Sequence, residues 1–225
     1  MGNQGFDYSV DLIMCIDGTG SMDKYIDSVK ENALTFYQKF KSKMDEAGKM
    51  VSQLRVKVIV FRDYQVDAQP MVESPFYTLS ADDSDQSAAF QSFVNGIEAC
   101  GGGDTPENAY EALALAFKSD WVKTPGSKRH VVHLYTDAPA LPLQERKDCP
   151  GYPTDMPADI GELRELWSGQ YMLLKAKRLQ IFAPDCASWN EFLTWENTIV
   201  TYSEAGTGCS EIDLDNCIHL LVQSI

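Results

Sequence analysis

Asp17, Thr19 and Ser21 stand two residues apart in the stretch Asp17-Gly18-Thr19-Gly20-Ser21. One carboxylate and two hydroxyls on so short a segment offer three hard oxygen donors. That set suits Mg²⁺, Mn²⁺ or Ca²⁺ and not zinc. The segment follows residues 10–16, an apolar run that reads as a buried strand, and precedes a strongly amphipathic stretch. The donors therefore fall on a tight loop at the C-terminal end of a strand, the edge where open α/β sheets bind ligands. Alone, such a pentapeptide is an ordinary turn.

Two further loops are expected to meet it. Gly101-Gly102-Gly103-Asp104-Thr105-Pro106-Glu107 brings Asp104 and Thr105 after three glycines, which let the backbone come close to an ion. Residues 131–136 read as a central strand that ends on Asp137.

The elements that position these loops follow from periodicity. Met22, Tyr25, Ile26, Val29, Ala33, Phe36, Tyr37, Phe40 and Met44 recur at steps of three and four, which predicts one long helix over 22–46. Gly48 would stop it. Strands are expected at 54–61 and 179–183, a short edge strand at 76–79 and a last strand at 198–202. Helices are expected at 88–99, from Pro106 to about Lys118 with Asp104 or Thr105 as its cap, at 161–177, 188–197 and 213–223. This alternation predicts an α/β fold, doubly wound and Rossmann-like, with a mainly parallel sheet covered by helices on both faces. Residues 1–225 read as a single domain. Residues 138–160, with five prolines, read as an insertion loop that leaves the sheet directly after Asp137 and so borders the same edge.

Composition narrows the function. The chain has 225 residues and a net charge of -14. A surface so acidic excludes nucleic acid and anionic membranes as partners, because phosphates need clustered Lys and Arg. No apolar run approaches the ~20 residues of a membrane span. The N-terminal residues have neither the basic nor the apolar region of a signal peptide. The six cysteines form no Cys-x-x-Cys pair, so free thiols in a cytoplasmic setting are expected. His130 and His133, three apart in a strand, point to opposite faces and share no metal. Asp63 reads as a strand-end acid that Arg62 could pair with. The four tryptophans read as core residues. Asp82-Asp83-Ser84-Asp85 reads as a solvated turn and helix cap.

Together, Asp-x-Thr-x-Ser after the first strand, the glycine-rich second loop and the aspartate of Tyr135-Thr136-Asp137-Ala138-Pro139 resemble the metal-ion-dependent adhesion site of von Willebrand factor type A domains. The Gly-Gly-Gly-Asp-Thr-Pro-Glu loop is most similar to the intracellular branch, which includes domains found with alpha-kinases and in bacterial operons. The resemblance implies roles. Asp17 would reach the ion partly through water, Thr19 and Ser21 would supply hydroxyls, and Asp137 would balance charge through bridging water. Asp104 would be the second-loop ligand, with Thr105 as the alternative. It further implies an open sixth position filled by an Asp or Glu of a protein partner. That makes the chain a metal-dependent interaction module and not an enzyme.

Enzymes are the competing class. Phosphotransferases of the haloacid dehalogenase type also run an apolar strand into Asp-Gly-Thr. Their nucleophilic aspartate lies two residues earlier, where this chain has Cys15. A metal-dependent hydrolase using the same acids to activate water is the other alternative.

Overall fold

The strand β1 (Asp7–Asp17) is apolar on both faces, which fits it for the centre of a sheet. Its even-numbered residues Val10, Leu12, Met14 and Ile16 join one core cluster, and Ile13 and Cys15 join the other. In the computed structural model, which describes residues 7–33, 35–102, 106–209 and 214–225, two parallel neighbours flank it. These are β2 (Met50–Phe61) and β5 (Ser127–Tyr135). Beyond β5 lie β6 (Lys177–Pro184) and β7 (Thr198–Ser203), both parallel. Beyond β2 lie two short antiparallel strands, β3 (Met71–Glu73) and β4 (Tyr77–Leu79). The order is β3-β2-β1-β5-β6-β7, with β4 also paired to β2. The chain thus leaves β1 in one direction and returns to its other side, and a crevice opens at the C-terminal ends of β1 and β5.

One sheet face is covered by α1 (Asp23–Asn32), α2 (Phe36–Glu46), α3 (Ser84–Asn95) and α7 (Leu214–Ser224). The other is covered by α4 (Ala109–Phe117), α5 (Ile160–Ser168) and α6 (Ala187–Asn190) with its 3₁₀ continuation. The doubly wound α/β expectation holds. Among the described residues, no helix is long and apolar enough to cross a membrane.

Several boundaries differ from the sequence reading, each for a local reason. The long helix over 22–46 is two helices, α1 and α2. Asn32 Nδ2 donates to Ser28 O, and Thr35 Oγ1 donates to Asn32 O, so side chains here compete with the helical ladder. The 161–177 helix stops at Ser168, where the buried Lys177 donates to Trp167 O (2.7 Å) and takes over a terminal carbonyl. Helix α4 starts at Ala109, not Pro106. Glu107 instead bridges to the loop after β5, donating to Pro139 O (3.0 Å) and accepting from Leu141 N–H (2.8 Å). The expected caps Asp104 and Thr105 lie outside the described residues. The strand β3 escaped notice because Ser74-Pro75 splits β2's outer partner in two. There Ser74 Oγ accepts from Val58 N–H (2.9 Å).

The four tryptophans are buried as expected. Asp83 caps α3 by accepting from Gln86 N–H (3.1 Å). His130 stacks on Trp121, while His133 bonds Tyr135 on the opposite face. The six cysteines form no disulfide.

Asp11 is the one buried charge midway along β1. Arg55 of β2 forks onto it (2.8 and 2.7 Å), and Val122 N–H donates to it as well (2.8 Å). Removing one member of such a pair strands the other charge. Asp11→Ala is expected to lower the unfolding free energy by about 3 kcal/mol in urea titration. A loss under about 1 kcal/mol would mean that Arg55 finds water instead.

Candidate metal centre

Three chain segments meet at the crevice. The first is the loop after β1. Asp17 closes that strand with its side chain fully buried (0% exposed). Thr19 donates to Asp17 Oδ1 from both its N–H (2.9 Å) and its hydroxyl (2.6 Å). Gly18 fits because a side chain there would run into Arg62, whose Cζ would lie 2.7 Å away.

The second segment follows β5. Thr136 donates to Asp17 Oδ2 (2.6 Å), and Asp137 Oδ1 accepts from the Ser21 hydroxyl (2.9 Å). The third is the loop after β7. Gly208 N–H donates to Asp137 Oδ2 (2.7 Å) and Gly206 N–H donates to the Asp137 carbonyl (3.0 Å). A side chain at Gly208 would collide with the Ser21 carbonyl, so this loop also presses on the first.

Asp17, Thr19, Ser21 and Asp137 are therefore brought together, Thr19 bonded to Asp17 and Ser21 to Asp137. Thr19 Oγ1 and Ser21 Oγ lie 3.3 Å apart. Each hydroxyl has one proton, and the flanking carboxylates draw both protons outward. The two oxygens are left facing each other with lone pairs free to accept. Asp104 and Thr105 lie outside the described residues. The glycines before them approach the site: Gly102 has φ +76°, and a Cβ there would fall 2.8 Å from the Thr19 Cβ. Among the described residues, no three His, Cys, Asp or Glu side chains form a metal-binding group. The donor set is two carboxylates and two hydroxyls, hard oxygens suited to Mg²⁺, Mn²⁺ or Ca²⁺.

The walls are built by two adjacent residues at the end of β2, and they do not pair with each other. Arg62 turns to the first loop. Asp63 is held instead by Arg146 of the 138–160 segment, through bonds of 2.8 to 3.2 Å. Tyr152 of the same segment donates to the buried Glu111 (2.7 Å), and Gln144 Nε2 donates to Met156 O (3.0 Å) and Pro157 O (2.9 Å). The proline-rich segment is thus fixed against α4. Cys15 is wholly buried and burial pushes its thiol pKa up, so the strand offers no nucleophile two residues before Asp17.

Thr136, Gly206 and Gly208 escaped the sequence reading. The Thr-Asp pair at a strand end was the available signal for Thr136. Nothing in the spacing marks the loop after β7.

Comparisons with known proteins show the family of the chain. The family model for the von Willebrand factor A domain matches residues 11–148, and the chain belongs to that family. The alpha-protein kinase vwkA of Dictyostelium discoideum is 28% identical over 151 residues, covering 67% of this chain and 22% of the kinase. Two crystal structures of the pilus adhesin SpaC from Lactobacillus rhamnosus GG superpose with TM-scores of 0.54 and 0.55 at 11% identity. Each match covers 96% of this chain and 30% of the adhesin, and at that identity it shows the fold alone. The chain thus spans only a minor part of either relative.

Burial raises the Asp17 pKa to about 6; hydrogen bonds from Thr136 and Thr19 oppose this and the Asp137 charge adds to it. With a folded pKa above the unfolded 3.8, Asp17 stabilises the fold most below pH 3.8, and that contribution is lost as pH rises through about 6. In EDTA, Asp17→Asn should therefore match wild type near pH 4 and exceed its stability by about 3 kcal/mol at pH 7.5. A gap that does not grow with pH would contradict this burial.

Proposed function

We propose that the chain is a divalent-metal-dependent protein-interaction module. Von Willebrand factor A domains are commonly interaction modules, which supports the coarser part of this reading. The finer part rests on one observation: the Thr19 and Ser21 hydroxyl oxygens, with their protons committed to Asp17 and Asp137, lie 3.3 Å apart.

Asp17, Thr19, Ser21 and Asp137 would hold the ion, with Asp104 or Thr105 from the second loop. A bound Mg²⁺, Mn²⁺ or Ca²⁺ would supply an electrophilic position for a carboxylate of the partner. Neutral hydroxyl donors suit that purpose, because they leave more of the ion's charge for the incoming Asp or Glu. Ser21 is exposed while Asp17, Thr19 and Asp137 are buried, so the approach is from the Ser21 side. Each of the four carboxylate oxygens of Asp17 and Asp137 already accepts a hydrogen bond from the protein, which favours holding over abstracting a proton from water. This supports binding over hydrolysis. A cytoplasmic setting suits six cysteines outside any disulfide.

Selection of displayed random peptides in Mg²⁺ tests the reading. Peptides carrying Asp or Glu should be enriched, and binding should fall at least tenfold on adding EDTA or on exchanging that residue for its amide. Peptide binding indifferent to EDTA would overturn it.

A further inference from the structure

Arg62 is buried at the end of β2, and none of the ion pairs among the described residues includes it. All of its hydrogen bonds go to backbone carbonyls. Nε donates to Gly18 O (2.8 Å) and to Cys100 O (3.2 Å), Nη1 to Gln69 O (2.8 Å) and Nη2 to Glu98 O (2.6 Å). A planar fork of five N–H donors can bind carbonyls from separate segments at fixed angles. An ammonium group, with three donors, cannot serve all four.

The consequence reaches the donors through peptide geometry. In a trans peptide the C=O and N–H point in opposite directions. Arg62 draws the Gly18 carbonyl to itself, so the N–H of the same peptide, that of Thr19, faces the other way and donates to Asp17 Oδ1. Cys100 N–H also donates to Gly18 O (3.0 Å), which ties the second loop to the first. The Cys100 carbonyl, turned to Arg62, then leads into Gly101 and Gly102, both at positive φ, and Gly102 comes to rest on Thr19.

We propose that Arg62 is the positioning residue of the centre: it fixes the Gly18–Thr19 peptide and seats the second glycine loop, and so sets the affinity of the centre for a divalent ion. The ion-affinity part rests on the metal reading above. Arg62 touches neither ion nor partner, and its charge is spread over four carbonyl dipoles.

The test compares wild type, Arg62→Met, Arg62→Lys and Met44→Ala. Met44→Ala weakens the core at the α2 end of the molecule and serves as the control for lost stability. Amide hydrogen exchange in EDTA is read first, at Thr19 and Cys100. Arg62→Met should speed exchange at both amides at least tenfold beyond its change in global stability, with Arg62→Lys in between. In Met44→Ala the two amides should follow global stability alone. Mn²⁺ binding by the folded proteins is read second, and Arg62→Met should bind at least tenfold more weakly than wild type. Unchanged exchange at Thr19 and Cys100 in Arg62→Met overturns the proposal. Faster exchange together with a wild type that binds no Mn²⁺ keeps the positioning role and removes the metal reading. Faster exchange with Mn²⁺ affinity within twofold of wild type overturns the claim that Arg62 sets that affinity.

Discussion

A carboxylate with no exposed surface closes the central strand of this sheet, and that burial governs the architecture around it. Taking the Asp17 charge out of water is costly unless hydrogen-bond donors replace the water. Three donors do so, two from Thr19 and one from Thr136, which come from opposite sides of the β1–β5 crevice. Those donors leave the carboxyl pKa near 6 and not at its ordinary value, so the desolvation is only partly offset. A divalent cation is the partner that would complete the compensation. It would also hold Asp17 ionised where a proton otherwise competes.

The rest of the centre follows from keeping three loops in contact around that group. The loop after β7 is sewn to Asp137 by two backbone N–H groups. The glycine loop after α3 is drawn in by Arg62. The proline-rich segment is locked by the Arg146–Asp63 pair, with Asp63 almost wholly buried. Neighbouring residues at the end of β2 thus hold opposite walls, because successive side chains of an extended chain point to opposite faces. Only Ser21 among the four donors opens to solvent. The four donors are thus reached from one side, that of Ser21.

Much of this was legible in the chain because chemistry and periodicity coincide in it. The apolar run before Asp17 places the Asp-x-Thr-x-Ser donors on a strand end, and the run before Asp137 does the same on the neighbouring strand. The limits were equally physical. The bond from Thr136 to Asp17 spans 119 positions, with only a Thr-Asp pair at a strand end to hint at it, and that from Gly208 to Asp137 spans 71 and leaves no local signature. Arg62 suggested an ion pair with Asp63, whereas its partners are backbone carbonyls that no residue type encodes. An apolar stripe predicted one helix through residues 33–35, because periodicity does not register the side-chain bonds of Asn32 and Thr35. Asp104 and Thr105, the proposed second-loop donors, lie outside the described residues, so the sequence alone speaks for them.

A divalent ion in the oxygen-lined crevice is the proposal on which the others depend. Thermal unfolding of wild type and Asp17→Ala against rising Mg²⁺ and Mn²⁺ addresses it most directly, since a ligand bound only by the folded state stabilises it in proportion to the logarithm of its concentration. The midpoint should climb with either ion in wild type and stay flat in Asp17→Ala. Midpoints that stay flat in both proteins up to millimolar ion would contradict the proposal.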